Sequence, residues 1–191
     1  MEKIRWGVLG TAGIARDCSI PGMQKAENCE RYGIAGRSLK KAEDYKDMFG
    51  FEKAYEGYEA LLSDPKVQAV YIPLPNNLHY EWVKKAIAAG KHVLCEKPIA
   101  ANARDGQEFY RLAKNGRSQV LVAHILRRNA SYIKIRDLIR SGAIGRLKTV
   151  RMTQNHHALD WERYRRLLED CSPILDCGVH YFDVLQWFTG S

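Results

Sequence analysis

The chain has 191 residues, 30 basic against 22 acidic side chains, a formal net charge of +8, and 46% hydrophobic beside 27% charged residues. That balance is ordinary for a folded globular protein and excludes disorder, collagen and coiled coil. No apolar stretch approaches the ~20 residues needed to cross a bilayer, and Met1-Glu2-Lys3-Ile4-Arg5-Trp6 runs into a strand pattern rather than a signal peptide, so a cytoplasmic protein without membrane contact is expected.

Short apolar runs alternate along the chain with segments of helical period, the pattern of a parallel sheet covered by helices. Ile4 to Leu9 is the first run; it closes in Gly10-Thr11-Ala12-Gly13, and a small-residue helix is expected to open at Ile14-Ala15. Tyr32 to Gly36 forms the second run, with Ser38 as the cap of a helix over Leu39 to Phe49. Ala54-Tyr55 then precedes a helix over Tyr58 to Leu62, and Ser63-Asp64-Pro65 turns the chain into a strand at Val67 to Ile72. Leu78, Trp82 and Ala86 share one helix face, which Gly90 ends. His92 to Cys95 is a strand, Asn102 to Asn115 a helix and Gln119 to Ala123 the last strand of the series. Residues 1–124 therefore read as an α/β domain, a doubly wound parallel sheet of the Rossmann type.

Residues 125–191 follow another rhythm. A helix over Ser131 to Arg140 ends at Gly142, and the alternation from Leu147 to Asn155 predicts a strand with one wet face. A polar, basic stretch leads to a last helix, Ile174 to Phe188, with apolar residues at 175, 179, 182 and 185. One strand and two helices cannot close a core, so this part is expected to be an incomplete α+β domain, or one that another chain completes. The cysteines (Cys18, Cys29, Cys95, Cys171, Cys177) lack a CxxC pair and read as free thiols, and no metal is expected. The basic residues are scattered without a docking motif, which argues against nucleic acid; Arg127, Arg163, Arg165 and Arg166 fit either an acidic sugar or bare solvent.

Gly10, Ala12, Gly13 and Ala15, with Thr11 and Ile14 between them, form a GxAGxA version of the dinucleotide fingerprint directly after the first strand. Glycine permits the tight turn, small residues let a pyrophosphate approach the backbone, and the helix N-terminus turns its free amides to the phosphates. An acid at the end of the second strand would bind the ribose 2′-hydroxyl of NAD. Arg37, Ser38 and Lys41 stand there instead and offer three donors to a 2′-phosphate, so NADP is expected over NAD, with NAD the alternative should Arg37 only stack on adenine.

At the end of the fifth strand stands Cys95-Glu96-Lys97-Pro98, where an α/β sheet places its ligands and where a lysine can donate to a substrate oxygen. Asp176 and His180 lie four residues apart in the last predicted helix and share one face. A base oriented by a carboxylate and a capping aspartate beside a part-buried histidine fit that spacing equally well.

Taken together, Gly7 to Ala15, Tyr71 to His79, Ala89 to Pro98, Ser141 to Gly145 and Leu175 to Asp183 resemble the glucose-fructose oxidoreductase, inositol dehydrogenase and rhizopine-catabolism (Gfo/Idh/MocA) family of NAD(P)-dependent sugar and polyol dehydrogenases. The resemblance covers the whole chain, and Glu-Lys-Pro with a later Asp-x-x-x-His makes it specific. It implies that Lys97, Asp176 and His180 are catalytic. His180 takes the proton of a sugar hydroxyl while hydride leaves the same carbon, Lys97 polarises the oxygen and Asp176 positions the ring. Glu96 and Pro98 shape the turn under the nicotinamide, with a cis Lys97-Pro98 bond expected, and Pro73, Asn76 and His79 match the loop that runs along the cofactor. The resemblance further implies a sugar or polyol substrate and, through a completed second domain, a homo-oligomer. Two departures stand out: Cys171-Ser172-Pro173 replaces glycines common in the family, and family chains are considerably longer than this one. A non-catalytic dinucleotide-binding module, for redox sensing or subunit pairing, is the other reading.

Overall fold

Strand β1 (Ile4–Leu9) is apolar at its carboxyl end and sends Val8 to one face and Leu9 to the other, as the two-residue period of a strand requires. In a computed structural model of the chain, which describes residues 2–153 and 174–190, β1 lies inside a six-stranded sheet. The other strands are β2 (Cys29–Gly36), β3 (Lys53–Glu56), β4 (Ala69–Ile72), β5 (His92–Cys95) and β6 (Val120–Val122), in the order β3-β2-β1-β4-β5-β6 with every pair parallel. Five helices fill the connections: α1 (Ile20–Lys25), α2 (Leu39–Phe49), α3 (Tyr58–Ser63), α4 (His79–Ala88) and α5 (Ala103–Asn115).

Each face of the sheet has its own core. Val8, Ile34 and Tyr71 pack with Ile20, Met23, Tyr45 and Phe49 from α1 and α2. Leu9, Ala35, Val70 and Ile72 pack with Leu61, Trp82, Val83, Ala86 and Phe109 from α3, α4 and α5. Helix α3 lies so close that a Cβ on Gly7 would stand 2.5 Å from Leu61 Cδ2, which is why β1 carries a glycine there. The register shifts between Trp6 and Gly7, leaving Tyr32 as the extra residue of β2. Tyr32 thereby joins the face opposite Ile34, and its hydroxyl donates to Asp64.

Asp64, just before β4, is a polar anchor: Tyr55 and Tyr32 hydroxyls and Lys53 Nζ donate to Oδ2, and the Lys66 amide donates to Oδ1. Burial alone pushes this carboxyl up, but those donors outweigh it and hold the acid ionised well below the usual carboxylate range.

Met1–Val122 and Ala123–Ser191 are two compact units. Within the second, Asn129 caps helix α6 (Ala130–Arg140) by accepting from the Ser131 amide. A π-helical turn at Ile174–Gly178 leads into helix α7 (Val179–Thr189), which Gly190 closes at φ 74°. Here the structure corrects two expectations. Residues 147–153 carry no strand, because extended backbone becomes a ladder only where a neighbour supplies hydrogen-bond partners, and none stands among the described residues. On α7 the buried stripe is Asp183, Val184 and Phe188, while Phe182 is 58% exposed. Gln154, Asn155, Arg163, Arg165, Arg166 and Cys171-Ser172-Pro173 lie outside the described residues. No helix among the described residues is long and apolar enough to cross a membrane.

Candidate functional site

The strand order reverses beside β1, which has β2 on one side and β4 on the other, so the chain leaves the carboxyl ends of β1 and β4 toward opposite faces. The crevice at that switch point holds the first group of expected residues. Gly10 has φ 115°, and a Cβ there would stand 2.9 Å from Leu74 Cδ2, so both backbone and space exclude a side chain. The turn is tied to β2 and to α2: the Gly10 amide donates to the Ala35 carbonyl of β2 (2.8 Å), and Tyr45 Oη of α2 donates to the Thr11 carbonyl (3.1 Å). Gly13 and Ile14 are exposed, and Thr11 and Ala12 are half-buried. The chain is helical from Gly13-Ile14 on, as expected, and widens into a π-helical turn over Ala15–Ser19 before it runs on into α1. Ile14 makes no side-chain capping bond to this turn, and a helix start of this kind offers its first amides to an anion.

Arg37, Ser38 and Lys41 are all exposed beside this turn. Ser38 stands at the N-cap of α2 in extended conformation but makes no capping bond, contrary to expectation, so its hydroxyl is not engaged by the helix. Burial pushes the nearby Tyr58 phenol up and the Arg37 charge opposes that shift, while Tyr58 Oη lies 3.9 Å from where a Gly10 Cβ would be. Arg37 and the Gly10 turn thus share one neighbourhood.

The loops after β4 and β5 form the second group. The Glu96 amide donates to the Ile72 carbonyl (3.1 Å), Pro73 and Pro98 are buried, and Asn76, Glu96 and Lys97 are half-buried. The Lys97-Pro98 bond is cis. His79 differs from its expected place along a cofactor. Its ring is fully buried, with Nδ1 2.7 Å from the Pro98 carbonyl and Nε2 2.7 Å from the Leu74 carbonyl, so both nitrogens are engaged inside the protein and the ring is a strut between two loops. Cys95 is buried and its thiol is pushed up by that burial, which leaves it unreactive.

Two residues that sequence reasoning passed over complete this group. Tyr71 Oη donates to Glu96 Oε1 and accepts from Ser19 Oγ, both at 2.7 Å. A tyrosine inside a short buried strand reads as core, and only the fold brings its hydroxyl to the end of β5.

In the second unit Asp176 belongs to the π-helical turn and His180 to the first turn of α7. Cys177 Sγ stands 3.6 Å from Asp176 Oδ2. Below them Asp183, 9% exposed, takes a two-pronged contact from Arg127, with Nη2 to Oδ1 at 2.6 Å and Nε to Oδ2 at 2.8 Å. His124 Nδ1 lies 3.7 Å from Asp183 Oδ2, and burial lowers the His124 pKa while the Asp183 charge opposes the shift. Asp183 and His124 were also missed, and Arg127, read as facing an acidic sugar or bare solvent, instead pairs with Asp183; the one signal was a carboxylate among apolar neighbours on the last helix.

Comparison with known proteins accords with this geometry. Residues 4–124 match the Gfo/Idh/MocA oxidoreductase family, NAD-binding Rossmann fold, and residues 132–191 match the Gfo/Idh/MocA C-terminal domain. A dTDP-3,4-didehydro-2,6-dideoxy-alpha-D-glucose 3-reductase of Streptomyces violaceoruber is 37% identical over 100% of this chain and 56% of its own length. A D-xylose 1-dehydrogenase (NADP(+)) of Haloferax volcanii is 33% identical over 97% of this chain and 57% of its own. Among solved structures, the 3-ketoreductase KijD10 of Actinomadura kijaniata, in complex with NADP and TDP-benzene, superposes with a TM-score of 0.83 at 29% identity, covering 98% of this chain and 58% of that one. The chain thus spans a little over half the length of these relatives. Glycine-turn geometry, strand order and matches across both units agree: the chain belongs to the Gfo/Idh/MocA family of oxidoreductases.

Proposed function

We propose that the protein is an NADP-dependent oxidoreductase that moves a hydride between the nicotinamide and a carbon of a sugar, polyol or sugar nucleotide. In this reading residues 1–124 form the cofactor domain and 125–191 open the substrate domain. The observation that carries it is the end of β2, where Arg37, Ser38 and Lys41 stand exposed beside the closed Gly10 turn and no carboxylate does. The turn fits a dinucleotide: its backbone leaves no room for a Cβ at Gly10, while a Cβ on Gly13 would meet nothing closer than Asp17 Oδ2 at 3.9 Å.

When bound, NADPH supplies the hydride. The amides of Ala12, Gly13 and Ile14 hold the pyrophosphate, and the Arg37 guanidinium, Ser38 hydroxyl and Lys41 ammonium take the 2′-phosphate. Glu96, Pro98, Pro73 and Asn76 line the nicotinamide end. Lys97 donates to the reacting oxygen and steadies the negative charge that develops on it. His180 gives that oxygen a proton in reduction and removes it in oxidation, while Asp176 orients the imidazole. Relatives named for a keto sugar nucleotide and for D-xylose support a carbohydrate carbonyl as the reacting group.

Titrating NADPH and NADH against the protein by nicotinamide fluorescence, then following NADPH consumption over keto sugars that include a dTDP-linked 3-keto deoxysugar, tests the reading. NADPH is expected to bind at least about tenfold tighter than NADH, with turnover on at least one sugar. Equal affinities would overturn the phosphate assignment, and tight binding without turnover on any sugar would favour the non-catalytic module.

A further inference from the structure

We propose that Tyr71 and Ser19 are positioning residues that fix the Glu96 carboxylate, and through it tie the turn after β5 to the helix behind the phosphate turn; the proposal rests on the reading above. Tyr71 is the third residue of β4, so it faces away from Val70 and Ile72 and into the core beneath α1. It is 1% exposed among Val8, Ala15, Ile20, Ile34 and Phe51, where a phenol without partners would be costly.

Both of its partners lie outside the apolar cluster and at ligand-binding turns. Ser19 ends the π-helical turn that follows Gly10–Ile14, and Glu96 begins the turn that carries Lys97. Every proton in the chain is accounted for in one direction: Ser19 donates to Tyr71, and Tyr71 donates to a carboxylate that can only accept. One Glu96 oxygen is thereby oriented, and the second has no protein donor among the described residues. The backbone alone links β1 to β5 only through the intervening β4. The hydroxyl chain adds a side-chain tie between the two turns through Tyr71 of β4, and loosening it should disturb both ends of the bound dinucleotide.

Tyr71→Phe keeps the ring and removes only the hydroxyl. It should weaken NADPH binding about tenfold, in line with a lost hydrogen bond to a charged group, and Ser19→Ala should weaken it less in the same direction. The decisive measurement is a double-mutant cycle on the NADPH dissociation constant. Introduced into Glu96→Ala, Tyr71→Phe should have no further effect, because it acts through that carboxylate. An equal tenfold loss in both backgrounds would overturn the proposal, since a purely packing role does not depend on Glu96. Amide hydrogen exchange of the ligand-free protein gives the second readout: Tyr71→Phe should speed exchange over residues 95–99, and unchanged exchange there would also overturn it. A wild type that binds neither dinucleotide would sink the functional reading, while the exchange experiment would still decide the hydrogen-bond chain.

Discussion

Met1–Val122 and Ala123–Ser191 are built on different interactions. The first unit buries Val8, Leu9, Ile34, Val70 and Ile72 at 0% exposure between two helix layers, and its charged groups sit around that core. In the second, α6 fully buries no side chain, and the buried stripe of α7 has a carboxylate beside Val184 and Phe188, matched by Arg127. Apolar burial stabilises in proportion to area and regardless of charge, whereas a half-buried ion pair depends on both partners being present. The cofactor sheet should therefore behave as a stiff platform, and the histidine helix should answer to one guanidinium.

The largest expected effect breaks the platform. Leu61 is fully buried and fills the space over Gly7 and Gly33, so Leu61→Ala should cost about 3–4 kcal/mol, read from denaturant unfolding of the first unit. Next, Arg127→Ala leaves Asp183 buried without its main partner. About 2 kcal/mol of local stability should be lost, less than for a fully buried pair because the guanidinium is partly in solvent, seen as faster amide exchange in α7 with the sheet amides of β1 and β4 unchanged; equal loosening of both units would contradict the contrast between them.

Asp64→Asn tests the carboxylate that anchors Tyr32, Tyr55 and Lys53 in the first unit. The folded pKa of Asp64 lies below its ordinary value, so its contribution to stability is present above about pH 4 and disappears as pH falls through and below that range. Wild type should exceed the variant by about 2 kcal/mol at pH 7, and the gap should narrow under acid; a gap that widens would contradict the sign. The smallest effect sharpens ligand choice: Arg37→Ala should reduce the preference for NADPH over NADH about tenfold, near 1.4 kcal/mol, with thermal stability unchanged because Arg37 is exposed. An unchanged ratio would leave Arg37 as an adenine-stacking side chain.

What could be read beforehand follows the same divide. Helix Leu39–Phe49 and strand His92–Cys95 coincide with their predicted bounds, because local period and flanking turn residues specify them. The Gly10 turn was legible for the same reason. The bulge at Tyr32 was not, since it answers to α3 packing on Gly7 and Gly33. His79 looked like a loop residue free to meet a ligand, and its two carbonyl contacts come from residues 5 and 19 positions away. Arg127 and Asp183 are 56 residues apart, beyond any periodicity. Alternation at residues 147–153 describes a strand's faces but cannot supply its neighbour. The roles of Lys97, Asp176 and His180 came from family resemblance, with local spacing leaving them open.

One measurement bears most directly on the proposed chemistry. NADPH deuterated at C4, with the 4R and 4S labels used separately, is incubated with the protein and a dTDP-linked 3-keto sugar, and the product is weighed and its label located. Direct hydride transfer predicts one deuterium on the former carbonyl carbon from only one of the two labels, and loss of product with His180→Asn while NADPH still binds. Product without deuterium from either label, or unchanged product formation by His180→Asn, would contradict the account.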